Sequence, residues 1–383
     1  MSTTLTGHIV GHHELRPGQI TLDSEGLIAH IDYLDHPPQG ELPLITPGFV
    51  DLHNHGGAGG AFPTGDTEQC RAAATFHRTH GTLALLASLV SQTEAEITRQ
   101  LDALAPLFTE GLIAGVHLEG PFLNVSRKGA QSPDRIQSGD PEMLQRIIDH
   151  SAGAVRQLTL APETDNAREL IDICARNNII VSFGHTDADF ATAAELTTYA
   201  AGTGATVTAT HLFNAMPPLH HRAPGAAAAF LEAAVRGQMY VELIGDGVHL
   251  DDGTVDMVTT LAPSRAFAVT DAIEAAGLDD GDYILGPLEV VVAQGTARLR
   301  TSDGRPGAIA GGTSTMAEQF LRFGRRHGFV AAAKFTSTNA AEVLGETTLS
   351  QGIRPGVPAN LVVLNRRGEV LEVYRHGRRW QQT

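Results

Sequence analysis

From about residue 48 onward, short apolar runs rich in Val, Ile, Leu and Ala alternate with longer stretches whose apolar residues recur at helical spacing. The runs predict strands at 49–53, 82–89, 113–118, 155–160, 179–185, 206–211, 239–245 and 266–271. Helical periodicity marks 93–108, 140–148, 166–177 and 225–236, with further helices at 314–327 and 331–344. Eight strands in alternation with helices predict an α/β fold of the (β/α)8 TIM-barrel type. The ends read differently. Residues 5–45 and 360–380 carry short alternating strands and turns, which predicts a small β-sandwich built from both termini. The expected division is 1–47 and 353–383 for the sandwich, and 48–352 for the barrel. A stretch at 284–300, turning near Gln294-Gly295, predicts a hairpin inserted after the last barrel strand.

The polar residues on those strands carry the chemistry. His53 and His55 end the first strand, and residues i and i+2 of a strand share a face, so both imidazoles aim the same way. Glu119 follows strand three, His185 ends strand five, His211 ends strand six and Asp271 ends strand eight. All fall at the carboxyl ends of strands, the barrel face where active sites are built. Such N and O donors with one coordination position left open suit a divalent metal that acidifies a bound water to a pKa near ~7. A neighbouring carboxylate then takes the proton and returns it to a leaving group, a role that falls to Asp271. His117 is read as a core-packing residue facing away from Glu119. The Leu101, Leu104, Leu107 and Phe108 stripe is read as packing.

Composition narrows the partners. The 383 residues are 42% hydrophobic and 18% charged, ordinary for a globular enzyme. A net charge of −16 argues against nucleic acid or an anionic membrane as partner. An anionic small molecule remains compatible, since one local Arg can hold a phosphate. Cys70 and Cys174 lie in helix-like segments and form no metal-type pair, which fits a reducing compartment. The first residues lack the basic and apolar regions of a signal peptide, and no apolar stretch is long enough to cross a bilayer, so a cytoplasmic protein is expected.

Taken in order, the motifs are Pro47-Gly48-Phe49-Val50-Asp51-Leu52-His53-Asn54-His55-Gly56, His117-Leu118-Glu119-Gly120-Pro121-Phe122, Gly184-His185-Thr186 and His211-Leu212-Phe213-Asn214-Ala215-Met216. Gly245-Asp246-Gly247-Val248-His249, Thr270-Asp271-Ala272 and Ile309-Ala310-Gly311-Gly312 extend the series. Together they resemble the amidohydrolase superfamily and, within it, the N-acetylglucosamine-6-phosphate deacetylases. The resemblance implies a metal held by Glu119, His185 and His211, with the variable pair His53 and His55 matching members that hold a second ion. The His/carboxylate donor set takes Zn, with Fe, Mn or Co as alternatives, at one or two ions per subunit. The resemblance makes Asp271 the general base and acid. It assigns sugar-phosphate binding to Asn214, Ala215, Arg222 and His249, with Ile309, Ala310 and Gly311 lining the same pocket. It further implies a homodimer whose partner subunit reaches into the phosphate site.

One position departs from the pattern. Where the family runs Lys-Gly-Ala-His, this chain has Lys128-Gly129-Ala130-Gln131, so Ala130 keeps its place and a substrate-contacting histidine becomes glutamine. Glutamine donates a neutral N–H but supplies no imidazolium. Deacetylation of N-acetylgalactosamine 6-phosphate or another N-acyl substrate is the nearest alternative, and a non-catalytic sugar-phosphate sensor is the alternative from another class.

Overall fold

The computed structural model describes residues 3–381 apart from 37, 39, 287 and 302–304. Eight strands form one sheet: β1 (Phe49–Asn54), β2 (Thr82–Leu89), β3 (Gly115–Glu119), β4 (Val155–Leu160), β5 (Ile180–Phe183), β6 (Val207–Ala209), β7 (Tyr240–Ile244) and β8 (Ala266–Val269). Neighbours in the sheet follow chain order, and the pairings from β2 to β8 are parallel. Every position of β1, β2 and β3 is buried, the signature of a parallel sheet covered on both faces. The two sheet edges meet where the Asp271 N–H donates to His53 O at 2.9 Å and the His55 N–H donates to Ala272 O at 2.7 Å. These bonds bring the ends of β1 and β8 together, so the sheet curls into a nearly closed barrel.

The helices between strands start where the sequence supplies caps. Thr93 and Glu96 form a capping box before the helix Glu94–Thr109, and Asp140 caps Pro141–His150. Helices at Thr67–Thr79, Phe190–Gly202 and Asp252–Leu261 complete the alternation. After β8 the expected hairpin is a three-stranded antiparallel meander of Gly281–Leu285, Leu288–Ala293 and Thr296–Leu299. Its second turn places Gln294 at φ 52° and Gly295 at φ 70°, the left-handed pair a two-residue hairpin turn requires. Leu285, Val290 and Val292 pack with Val90, Ile273 and Ala310, which seats the meander against the ends of β2 and β8.

The chain divides into two compact units, Met1–Asp51 with Thr75–Ala84 and Thr315–Thr383, and Leu52–Ala74 with Leu85–Ser314. In the first unit both termini join one seven-stranded sheet, ordered Arg378–Arg379, Val370–Arg375, Leu361–Leu364, Leu44–Pro47, Thr3–Val10, Leu15–Leu22 and Ile28–Tyr33. Inward residues from both halves, including Ile9, Ile20, Ile45, Leu361 and Val363, share one core. The helix expected at 331–344 begins earlier, at Phe329–Ala333, and runs through a π turn at Lys334–Thr338 into Asn339–Leu344. All the candidate site residues lie in the second unit.

Candidate active site

The strand ends that carry the site leave ordinary backbone geometry. His185 has φ 47°, His211 φ 29° and Asp271 φ 49°, all in the left-handed region that non-glycine residues avoid at a cost of order 1–3 kcal/mol each. Each reversal comes two residues past the end of its strand and turns the chain there, at the barrel mouth. Ala215, in the loop after β6, also has positive φ, at 53°. Strain gathered at these residues marks them as held in place by their surroundings.

The side chains converge. Glu119 Oε1 lies 2.9 Å from His185 Nε2, 3.0 Å from His211 Nε2 and 3.5 Å from His53 Nε2. Its other oxygen is 3.4 Å from His55 Nε2. Asp271 Oδ1 lies 3.2 Å from His55 Nε2 and 3.4 Å from His53 Nε2, and those two nitrogens are 3.1 Å apart. His185 and His211 bring their Nε2 atoms to 3.2 Å. The donor atoms of His53, Glu119 and His211 thus form one compact group and those of His53, His55 and Asp271 a second.

The outer ring nitrogens explain why the inner ones face each other. His55 Nδ1 is 3.2 Å from Ser88 O, and His185 Nδ1 is 2.9 Å from Arg127 O. A carbonyl oxygen only accepts, so each Nδ1 carries the proton and each Nε2 turns a lone pair inward. His53 Nδ1 is likewise 3.2 Å from Glu242 Oε2. Lone pairs then point at carboxylate oxygens, an arrangement that demands positive charge between them. Zinc ligands at ~2.0–2.1 Å in a tetrahedron stand roughly 3.3 Å from one another, which is the spacing seen here. The donor set fits a divalent ion at either group.

Electrostatics report the same demand. Burial opposes a charged His53, yet the Asp271 and Glu119 carboxylates outweigh it and raise its pKa well above the ordinary value. His55 is raised too, burial again being overcome by hydrogen bonds and charge from Asp271 and Glu119. For Glu119 and Asp271 burial pushes upward, but the facing histidines hold both carboxyls below the usual range. By contrast burial, reinforced by the charge of His53, pulls His117 well down.

Above this floor opens a cavity of about 270 Å³. Glu119, His55, His185, His211 and Asp271 reach its wall, whereas His53 is fully buried beneath. Of the positions expected to hold substrate, Ala130, Gln131, Asn214 and Ala215 line the cavity, as do His249, Ile309 and Gly311. Ala310 is buried between the last two. Arg222 is exposed in the His220–Ala223 loop and is not part of this wall. Gln131 is 3% exposed, donates its amide N–H to Glu119 Oε2, and accepts the Ser91 N–H at 2.7 Å. His249 is fixed by Asp246, whose Oδ2 lies 2.8 Å from its Nδ1.

Residues 44–379 match the Amidohydrolase family. The chain belongs to the amidohydrolase family. The N-acetylglucosamine-6-phosphate deacetylase of Bacillus subtilis is 34% identical to it over 343 residues, 86% of this chain and 82% of the relative. An N-acetylgalactosamine-6-phosphate deacetylase of Escherichia coli O157:H7 is 27% identical over 92% of both chains. A mutant N-acetyl-D-glucosamine-6-phosphate deacetylase of Mycobacterium smegmatis, solved with N-acetyl-D-glucosamine-6-phosphate, superposes with a TM-score of 0.89 at 34% identity over 99% of each chain.

Two residues of this amidohydrolase differ from the sequence expectation. His117 does not face away from Glu119. It stands two positions before it on β3, so strand periodicity puts both on the barrel's inner face, and its ring centroid is 4.6 Å from that of His53. It is held there by Ser88 Oγ at 2.9 Å and Thr159 Oγ1 at 2.8 Å. Glu242, on β7, belongs to no sequence motif, since it is an isolated acid inside an apolar run, although a carboxylate in a buried strand is itself a signal.

Proposed function

We propose that this amidohydrolase removes the acetyl group of N-acetylglucosamine 6-phosphate, giving acetate and glucosamine 6-phosphate. The observation that carries the reading is the ring of inward Nε2 atoms and two carboxylates at the floor of a small-molecule cavity, in a chain whose relatives are sugar-phosphate deacetylases. Glu119, His185 and His211 would hold the main ion, and His53 and His55 a second. Zinc suits the donor set, with Fe, Mn and Co as the other occupants. A divalent ion bound there supplies Lewis acidity and lowers the pKa of water toward neutrality.

Asp271 does the proton work. Its carboxylate takes the proton from water as the amide carbonyl is attacked, then gives it to the departing amine. Gln131 has its amide fixed between Ser91 and Glu119 at the cavity wall, beside the acetyl position in this reading. Asn214, Ala215 and His249, with the backbone of 309–311, form the wall where the sugar phosphate is read, and binding energy from the remote phosphate orients the acetyl group. Arg222, exposed in its own subunit, supports a homodimer in which this arginine meets phosphate at a shared site. A cytoplasmic location and the division at 47/48 and 352/353 belong to the same reading.

The epimer is tested by acetate release from N-acetylglucosamine 6-phosphate, N-acetylgalactosamine 6-phosphate and unphosphorylated N-acetylglucosamine. The account predicts the highest kcat/KM for the first and a collapse without phosphate. A preference for the galacto epimer, as in the E. coli relative's name, would replace the substrate and keep the chemistry.

A further inference from the structure

We infer that Glu242 is a positioning residue of the metal centre, tying together side chains that serve both ligand groups. The inference rests on the metal reading above. Glu242 is fully buried on β7. Its Oε2 lies 3.2 Å from His53 Nδ1 and accepts the backbone N–H of His211 at 3.1 Å. Its Oε1 accepts the Gln157 amide at 2.8 Å, and its main-chain oxygen accepts the Leu212 N–H at 2.8 Å. One carboxylate therefore joins β7 to β1, β4 and the turn after β6.

Two consequences follow from that wiring. The acceptor at Nδ1 fixes the His53 tautomer, leaving the Nε2 lone pair for the centre, and strengthens His53 as a ligand. The bond to the His211 N–H holds the left-handed turn that aims His211 Nε2 at Glu119. His53 stands in both candidate ligand groups and His211 in one, so a single residue sets the geometry of the pair. Glu242 touches neither the cavity nor a substrate, and acts through other residues.

Glu242→Gln tests this without removing bulk. The new amide oxygen can face His53 and His211 while its NH2 meets Gln157, which turns over to accept. Gln157 Oε1 is buried with no hydrogen-bond partner among the described residues, so the rotation keeps one bond between the two amides and exchanges one unpaired polar group for another. Metal-free wild-type and variant proteins are titrated with Co2+ against a chromophoric chelator, and the d–d absorption is recorded. The variant is expected to melt near the wild-type temperature when metal-free, to bind Co2+ about 10–100-fold more weakly, and to show an altered d–d spectrum. Excess Co2+ should restore occupancy. A folded variant with wild-type Co2+ affinity and spectrum overturns the inference. If the variant does not fold, a crystal structure of Co2+-loaded wild-type protein decides: His53 Nδ1 on Glu242 supports it, and a ring turned elsewhere overturns it. Wild-type protein that binds no Co2+ overturns the metal reading itself.

Discussion

Replacing Gln131 with leucine isolates one hydrogen-bonded link between Ser91 and Glu119. Leucine keeps nearly the volume, so little cavity is created and the change is one of polarity. Two terms are lost. The amide N–H to the Glu119 carboxylate is charge-assisted, worth about 1.5–3 kcal/mol, and the Ser91 N–H loses its partner at a further 1–3 kcal/mol. Gln131 borders the cavity, however, and water entering there recovers part of the second term. A net destabilisation of about 2–3 kcal/mol is expected for metal-free protein, measured by urea unfolding followed by circular dichroism. The companion Gln131→His separates stability from chemistry, because a histidine, when protonated, presents a charged donor to the cavity that glutamine lacks. That variant should change turnover or the gluco/galacto ratio. A loss under about 0.5 kcal/mol in Gln131→Leu, with Gln131→His unchanged in both kinetic respects, refutes the role assigned to this position.

Other consequences are as direct. Asp271→Asn keeps shape but removes the proton acceptor, and kcat should fall about 10²–10⁴-fold with sugar-phosphate binding retained, checked by calorimetric titration with substrate. Chelation should lower the unfolding free energy, and Zn2+ at a thousand times its Kd should restore about 4 kcal/mol, read from melting with and without metal. Asp246 gives a pH signature. Burial raises its pKa, but the bonds from His249 and from the Val248 and His249 N–H groups prevail and lower it. A depressed folded pKa stabilises the protein above the ordinary carboxylate value of ~3.9, and that stability is lost as pH falls through the lower folded value. The stability gap between wild type and Asp246→Asn, both metal-free, should therefore close as pH falls below that value.

The barrel was legible because its strands are short apolar runs between helix-period segments, and seven of the eight predicted strand starts stand within one residue of the observed ones. The helices Phe190–Gly202 and Asp252–Leu261 had no clear stripe to show: one mixes Ala and Thr on all sides, and the other is short and rich in Thr and Val. In Thr67–Thr79 the buried face begins with Cys70, Ala73 and Ala74 but continues through His77 and Arg78, so polar residues break the apolar stripe. The ligand residues were visible because they sit at strand ends, where a lone polar residue interrupts an apolar run. His117 shares the inner face with Glu119 by the same two-residue period that pairs His53 with His55. Glu242 and Ser91 act through contacts made by sequence-distant segments, and no spacing announces those. Arg222 is visible as a charge in a Pro/Gly loop, yet its place outside the cavity wall depends on the path of that loop.

The most direct test of the central claim is acetate release from N-acetylglucosamine 6-phosphate by Zn2+-reconstituted protein, run beside chelator-stripped protein and Asp271→Asn. The account predicts turnover in the first, none in the second until metal returns, and severe loss in the third with metal still bound. Turnover that survives complete removal of metal, or metal-loaded wild-type protein that binds the sugar phosphate without releasing acetate, would contradict it.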